Sequence, residues 1–317
     1  MATNQANKKP ATRGSGPRSG PRGRARAGRP AGLFTWIAVG LVVVVVATLV
    51  IIKVTSGGSS GSGAQAFQPA NPAVVSQVTT VPATVFDTIG VNSSAIGVAP
   101  PQVMKKLPFL SVTQNGKKVP EVLYVGAEYC PYCAAERWAT IIALSRFGTW
   151  SGLGNMASYS GDIYPNTPTF TFVRAHYHSQ YVAFRSVEMY TNYLNAAKTY
   201  YQPLQTLSAQ ENGLFKKYDN CKYITGLTCQ NNESFPFVNF ANQVMIVGSS
   251  YTPAALDGNS RDQIAQGLTN TSDPITAAII ATANYQTASI CSVDGGQPAS
   301  VCTSPGVKAA AKRMGLK

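Results

Sequence analysis

Two cysteines three residues apart, Cys130 and Cys133, lie in the segment AEYCPYCAAERW at residues 127–138. A thiolate is both a nucleophile and a metal ligand, and at the start of a helix the pKa of a Cys-x-x-Cys thiol falls to about 3.5–7.5. Side chains at i and i+3 of a helix share one face, so the two sulfurs can approach disulfide geometry. The motif therefore fits three roles, namely thiol–disulfide exchange, metal binding or a permanent structural disulfide.

Thiol–disulfide exchange is the chemistry that we expect from this pair. We expect Cys130 to attack from an exposed position at the helix start, and Cys133 to resolve the mixed disulfide that results. Tyr132 occupies the second position between the cysteines, and Glu128 and Glu136 are candidates for assisting deprotonation of the second thiol. The alternative for both acids is a solvated or salt-bridged carboxylate.

The segments on either side of the motif predict the elements that position it. Residues 108–127 form two strands joined around Asn115-Gly116, a strong hairpin signal, and the second strand leads directly into the motif. After the motif, apolar residues recur at helical spacing as far as Gly148.

The rest of the chain continues the α/β pattern. Residues 169–190 predict one or two strands, and Ser208 with Glu211 forms a capping box that opens a helix to about residue 218. Residues 235–250 predict a hairpin with a turn at Asn242-Gln243. Two helices are expected to close the chain, one from about Ser260 and one from Asp273-Pro274.

This order of elements resembles the thioredoxin fold, with a large insertion. Thioredoxins carry Trp-Ala-Glu-Trp before the first cysteine, where this chain has Gly-Ala-Glu-Tyr at 126–129, and the tetrapeptide Cys-Pro-Tyr-Cys is similar to that of glutaredoxins. The string from VLYVGAEYCPYCAAERW through YPNTPTFTF and FPFVNF resembles a family of membrane-anchored thioredoxin-like proteins of actinobacteria and archaea, labelled as a domain of unknown function. The resemblance covers about residues 75–305.

The resemblance implies a cis-proline opposite the cysteines, whose backbone pairs with a substrate strand. Phe235 and Pro236 are our candidates for this loop, with Pro168 as the rival, because the fold needs a strand between the first helix and this proline and residues 169–190 supply it. The buried acid that thioredoxins hold six residues before the first cysteine is replaced by Tyr124.

The amino-terminal part predicts a membrane anchor. Residues 1–31 carry eight basic residues and no acid, which predicts a disordered cytoplasmic tail. Residues 32–52 hold no charge and as a helix would span roughly 31 Å, close to the thickness of a bilayer core, so a single transmembrane helix is expected at 32–53. A cleaved signal peptide is the alternative. The positive-inside rule then places residues beyond 53 outside the cytoplasm.

The outer part is expected to comprise a Gly/Ser linker at 54–74, a thioredoxin-like domain at 75–305 and a basic tail at 306–317. Its charge is nearly balanced, with 17 basic and 13 acidic residues, which argues against a nucleic-acid-binding domain although the whole chain carries +13. All six cysteines lie there, and an even number outside the cytoplasm favours disulfides. Besides the motif, the cysteines are Cys221, Cys229, Cys291 and Cys302; local pairing in this order is the simplest of three pairings.

The function we expect is a membrane-anchored thiol–disulfide oxidoreductase, without a cofactor, that acts on cysteines of envelope proteins and exchanges electrons with a membrane donor or acceptor. Two other classes stay open. One is a non-catalytic subunit or assembly factor of a membrane complex. The other is a copper or zinc chaperone in which His176 and His178, which alternate along a strand, join the two cysteines.

Overall fold

The computed structural model describes residues 67–93, 95–104, 106–229 and 233–316. The tail predicted at 1–31, the span at 32–53 and the linker as far as residue 66 lie outside these residues. Within the described ranges, no helix is both long and apolar enough to cross a membrane.

The described residues form a mixed α/β structure, as the sequence predicted. The strands are β1 (Gln68–Pro69), β2 (Gln102–Val103), β3 (Ser111–Gln114), β4 (Lys117–Gly126), β5 (Gly148–Ser151), β6 (Gly154–Ala157), β7 (Pro168–Thr171), β8 (His176–Ser179), β9 (Ala183–Glu188), β10 (Tyr190–Leu194), β11 (Tyr201–Pro203), β12 (Phe237–Phe240) and β13 (Val244–Val247). The helices are α1 (Pro72–Thr79), α2 (Ala83–Ile89), α3 (Pro131–Ser145), α4 (Ala209–Tyr218), α5 (Arg261–Gly267), α6 (Pro274–Val293), α7 (Ala299–Cys302) and α8 (Pro305–Met314), with a 3₁₀ turn at Pro253–Leu256.

The central sheet is built around β4. On one side β4 pairs antiparallel with β12, and the sheet continues through β13 to β2. On the other side β9 pairs parallel with β4, and Leu123 lies opposite Arg185. The start of β4 pairs with β3. The strand between the cysteine helix and Pro236 therefore comes from residues 169–190, as predicted, although that segment forms the three strands β7, β8 and β9.

Alternation along β4 gives the sheet two apolar faces, since successive side chains of a strand point to opposite sides. Val122 and Tyr124 belong to the larger core, which also contains the buried side chains of α3 and α6. Leu123 and Val125 belong to a second core with Phe215 of α4. Burial of each apolar side chain of this size contributes about 1.5–3 kcal/mol to stability. The helices that cover the two faces of the sheet therefore stabilise it from both sides.

Local signals set the boundaries of several elements. Asn115 and Gly116 have φ values of 48° and 76°, the left-handed pair that a tight two-residue hairpin requires. Ser208 and Ser260 each cap a helix through a reciprocal capping box, and Asp273 accepts a hydrogen bond from the N–H of Thr276 at the start of α6. These features confirm the predicted hairpin and the three predicted helix starts.

The two ends of the domain differ from the prediction. Helix α1 lies in the range assigned to the linker and the domain start, and the side chain of its N-cap Asn71 accepts a hydrogen bond from the N–H of Ala73. Helix α8 occupies the range predicted as a basic tail, and its buried Val307 and Ala310 pack in a cluster with Tyr285 of α6. The prediction gave too much weight to the lysines and arginine of this segment and overlooked the helical spacing of its apolar residues.

Gly306 offers a sharp test of this terminal packing. A Cβ at Gly306 would clash with the carbonyl oxygen of Phe86, whereas a Cβ at Gly213 of α4 would meet no atom within 4 Å. We expect Gly306→Ala to lower the free energy of unfolding by about 1–3 kcal/mol through overpacking. Gly213→Ala should raise it by about 0.5–1 kcal/mol because alanine favours a helix.

Both values can be measured by denaturant unfolding followed by far-ultraviolet circular dichroism. Equal effects of the two substitutions would contradict the close packing of α8 against α2.

Candidate functional site

The cysteine pair lies at the junction of β4 and α3. Cys130 is the N-cap of α3, and its sulfur accepts a hydrogen bond from the backbone N–H of Cys133 at 3.2 Å. Pro131 follows at the first helical position, where the absence of an N–H costs nothing. Both thiols are free in the structure. The motif thus sits at a helix start, as the sequence predicted.

Burial of the pair is greater than predicted. Cys130 is 5% exposed and Cys133 is completely buried, so the expectation of an openly exposed attacking sulfur is wrong. The cover consists of aromatic side chains, because Tyr129, Tyr190 and Phe235 pack against the small cluster that contains both cysteines. Little of Cys130 is therefore accessible to solvent.

The two thiols differ in acidity. Burial opposes ionisation of Cys130, but hydrogen bonds from the Cys133 side chain and backbone, together with the charge of Arg137, hold the pKa of the Cys130 thiol below its ordinary value. Burial raises the pKa of the Cys133 thiol well above its ordinary value, and its contact with Cys130 raises it further. The arrangement favours a thiolate at Cys130 and a protonated thiol at Cys133.

A buried ion pair lies beneath the cysteines. Arg137 of α3 donates two hydrogen bonds to the carboxylate of Glu188 at the end of β9, at 2.9 and 2.7 Å, and a third to the carbonyl oxygen of Ala127 at 2.8 Å. Both charged side chains are completely buried. Sequence reasoning missed this pair, although an arginine four residues after Cys133 on a largely apolar helix was a visible signal.

Tyr124 occupies the position where the resemblance implied a buried acid. It is completely buried, with the Arg137 guanidinium 5.9 Å from its ring centroid and the Phe172 ring edge-on at 5.1 Å. Burial raises the pKa of the Tyr124 hydroxyl well above its ordinary value, so this side chain is protonated at neutral pH.

The two candidate accessory acids are both buried, so the solvated alternative is wrong for each. Glu128 accepts a hydrogen bond from the Thr171 hydroxyl at 2.6 Å, and burial raises its pKa to about 7. Glu136 accepts hydrogen bonds from the backbone and hydroxyl of Ser250 and from the Gln286 amide, and burial raises its pKa to about 7 as well. The hydrogen bonds of both carboxylates go to these partners and not to the cysteines.

Tyr132, the second residue between the cysteines, is directed outward. It is 40% exposed and meets Tyr164 edge-on at 5.9 Å between ring centroids. Its ring is therefore accessible to solvent beside the cysteine turn.

The predicted proline loop lies against Cys130. The Phe235–Pro236 peptide bond is cis, and the Cys130 thiol donates to the carbonyl oxygen of Phe235 at a sulfur–oxygen distance of 3.7 Å. The rival Pro168 begins β7 instead, where its carbonyl oxygen accepts the indole N–H of Trp138. Whether the loop binds a substrate stays a prediction.

A tyrosine-rich groove opens beside Cys130. The β10–β11 hairpin supplies one wall, and the Tyr129 ring stacks on Tyr201 of this hairpin at 3.8 Å between centroids. The cavity has a volume of about 530 Å³ and is also lined by Tyr190, Tyr200 and Phe235. Sequence reasoning assigned this region to an insertion but did not predict which of its side chains meet the cysteines.

The other four cysteines form two local disulfides, Cys221–Cys229 and Cys291–Cys302, which confirms the simplest of the three pairings. The second of these bonds joins the last turn of α6 to α7. Both close short loops and stabilise the domain mainly by restricting the unfolded chain.

The histidines of the metal hypothesis lie on β8, paired with β5. Among the residues that the structure describes, no group of three or more histidine, cysteine, aspartate or glutamate side chains could hold a metal ion. The structure therefore does not bring His176 and His178 together with the cysteine pair.

The fold and the site define a class of α/β proteins in which a Cys-x-x-Cys pair begins a helix next to a cis-proline. Residues 106–292 match the family described as a domain of unknown function (DUF929), and the chain belongs to this family. This agrees with the resemblance seen in the sequence. No curated protein and no solved structure matches the chain.

The charge of Arg137 can be tested through the reactivity of Cys130. Arg137→Gln alone would leave the Glu188 carboxylate buried without a partner, so the double variant with Glu188→Gln is preferred. We expect its Cys130 thiol to have a raised pKa and to react with iodoacetamide at neutral pH about three- to tenfold more slowly.

The matched control is Arg261→Gln, which removes a partly buried arginine whose hydrogen bonds go to the carbonyl oxygens of Thr169 and Met156. Equal alkylation rates in the wild type and the double variant would contradict the assigned role of Arg137.

The buried carboxyl of Glu136 predicts how stability depends on pH. Its pKa is about 7 in the folded chain and about 4.5 in the unfolded chain, so the folded state binds the proton more tightly and stability falls as the pH rises. Ionisation of this one group costs about 3 kcal/mol by pH 8.

Glu136→Gln should remove this pH-dependent loss of stability. The unfolding free energy of the variant, relative to that of the wild type, should therefore increase from pH 5 to pH 8. Guanidinium chloride unfolding followed by tryptophan fluorescence measures it. A constant difference across this range would show that Glu136 does not titrate in the fold.

Proposed function

We propose that the protein is a thiol–disulfide oxidoreductase of thioredoxin-like fold. The observation that carries the proposal is the pair of unlike thiols at the start of α3. The surroundings favour a thiolate at Cys130 and a protonated thiol at Cys133. The backbone nitrogen of Cys133 lies 3.2 Å from the Cys130 sulfur. A nucleophile with a resolving neighbour is what disulfide exchange requires.

The strand arrangement supports the thioredoxin-like fold. In the order β9–β4–β12–β13, β9 is parallel to β4 and the other two strands are antiparallel to their neighbours. The cysteine helix follows β4, and the cis-proline directly precedes β12. Strands β5 to β8 form the insertion between the cysteine helix and β9.

The proposed reaction transfers two electrons in two exchanges. The Cys130 thiolate attacks one sulfur of a substrate disulfide and forms a mixed disulfide, while the other substrate sulfur leaves as a thiolate. Cys133 then loses its proton to that leaving thiolate and attacks Cys130, which closes the Cys130–Cys133 disulfide and releases a reduced substrate. The same steps run in reverse when the protein oxidises a dithiol.

The surroundings of Cys130 support a polypeptide as the substrate. The carbonyl oxygen of Phe235 lies next to the sulfur and can accept a backbone N–H from an added strand once the thiol no longer donates to it. The tyrosine-rich groove offers aromatic surface for an apolar side chain next to the substrate cysteine. Exposed Tyr132 extends this surface on the side of α3.

We propose that the domain works outside the cytoplasm, anchored by residues 32–53, on cysteines of envelope proteins and with a membrane-bound electron donor or acceptor. Two structural disulfides support an oxidising compartment, because such bonds are rare in the cytosol.

A second candidate function is that of a non-catalytic subunit of a membrane complex. The near-complete burial of Cys130 favours it, because an attacking thiol must reach its substrate. In this case the exposed tyrosines beside the motif would serve only for contact with a fixed partner.

Single cysteine variants distinguish the two functions. Cys130→Ser should reduce turnover of a peptide disulfide by at least about a thousandfold because the nucleophile is lost, and Cys133→Ser should accumulate mixed disulfides. The assay follows the oxidation of added glutathione or dithiothreitol, and mass spectrometry detects the trapped adducts.

The control is the double variant Cys291→Ser/Cys302→Ser, which removes a structural disulfide and should retain turnover per folded molecule. Turnover that is unchanged in both motif variants would disprove the oxidoreductase proposal. Absence of turnover in the wild type, together with a partner that co-purifies with the motif variants, would favour the subunit function.

A further inference from the structure

A second cavity lies on the other side of the β10–β11 hairpin. Tyr190 and Leu194 of β10 line the tyrosine-rich groove, whereas the intervening Thr191, Asn192 and Tyr193 line the second cavity. It has a volume of about 310 Å³, the lower end of the range for small-molecule sites. None of its lining residues is a cysteine, so it is distinct from the proposed redox site.

One unsatisfied hydrogen-bond acceptor, in addition to a buried carboxyl, characterises this cavity, which we call the Glu128 cavity after that carboxyl. Glu128 is 6% exposed, and one of its oxygens accepts a hydrogen bond from Thr171. The side-chain oxygen of Asn155 is buried and receives no hydrogen bond from any described residue. Buried acceptors without donors are costly, so the cavity favours a ligand that supplies N–H groups.

Arg174 adds a charge of the opposite sign. Its side chain is exposed, lines the same cavity and lies over the Phe67 ring at 4.8 Å from the centroid. Among the described residues, no carboxylate forms an ion pair with it. The cavity therefore has a buried acid and an exposed base.

We propose that the Glu128 cavity binds a small zwitterion. Its ammonium or guanidinium group donates to the Glu128 carboxylate and to the Asn155 side-chain oxygen, and its carboxylate pairs with Arg174. Charge-assisted hydrogen bonds of this kind are stronger than neutral ones, and a guanidinium suits a planar carboxylate best. A free amino-acid-like molecule and the end of a peptide chain with a carboxy-terminal arginine share this chemistry.

The proposal requires a defined dependence on pH. Burial raises the pKa of Glu128 to about 7, so a cation that binds the ionised form should bind more tightly above that pH. The charged groups that act on Glu128 are Glu188 of β9 and Arg137 of α3, and Arg174 and Tyr193 line the cavity. Affinity for the cationic group should rise about tenfold between pH 6 and pH 8.

Isothermal titration of the full chain with 4-guanidinobutyrate and with butylguanidinium tests the assignment. Glu128→Gln should weaken both probes by at least about tenfold, because both carry the cationic group. Arg174→Gln should weaken only guanidinobutyrate, by about fivefold, because butylguanidinium has no carboxylate. Asp257→Asn, which removes an exposed acid outside the cavity, is the matched control and should leave both affinities unchanged.

A peptide arm identifies the source of the ligand. Tighter binding of acetyl-Gly-Gly-Arg than of guanidinobutyrate would assign the cavity to peptide ends, and the reverse to a free small molecule. The proposal would be overturned if neither guanidinium probe showed saturable binding up to about 10 mM. It would also be overturned if a Glu128→Gln variant with native circular dichroism bound the probes as tightly as the wild type. Because the readout is binding, it does not depend on whether the cysteines turn over a substrate.

Discussion

A buried ion pair between the cysteine helix and the neighbouring strand holds the site together. Desolvation of two charges is expensive, and only hydrogen bonds from several directions make the pair of Arg137 and Glu188 tolerable. Three such bonds tie α3 to the end of β9 and to the carbonyl of Ala127, just before the cysteine turn. The geometry of the turn and the charge beneath the thiols thus depend on the same contact.

The charge of Arg137 favours ionisation of both thiols, yet their acidities differ. Burial alone would raise the pKa of both, but Cys130 gains hydrogen bonds from the helix start and the favourable charge of Arg137. Cys133 lies deeper, and there the charge of Arg137 does not offset burial and the neighbouring Cys130 sulfur, which both raise its pKa. The Cys133 thiol is less acidic because it is more deeply buried, and the Cys130 thiol is more acidic because it lies at the N-cap.

The β10–β11 hairpin contributes residues to both the tyrosine-rich groove and the Glu128 cavity. Tyr190 and Leu194 of β10 line the tyrosine-rich groove, whereas the three residues between them line the Glu128 cavity, in a strand whose register with β11 is irregular. The backbone N–H of Glu128 donates to the carbonyl oxygen of Tyr190 at the start of β10, so one backbone contact connects both cavities to the segment that precedes Cys130. A ligand in either cavity would therefore contact the hairpin that covers the cysteines.

The sequence by itself determined the features that depend on near neighbours, namely the hairpin at Asn115-Gly116, the capped helix starts, the N-cap position of Cys130 and the local disulfides. It also indicated the proline of the cis bond, through the order of the elements. The tertiary structure alone decided the pairing of Arg137 with Glu188, the aromatic cover of Cys130 and the burial of the acids. Apart from that of Tyr129 with Cys130, these contacts join residues 43 to 150 positions apart, and no pattern within a few residues encodes which distant side chain fills a given space.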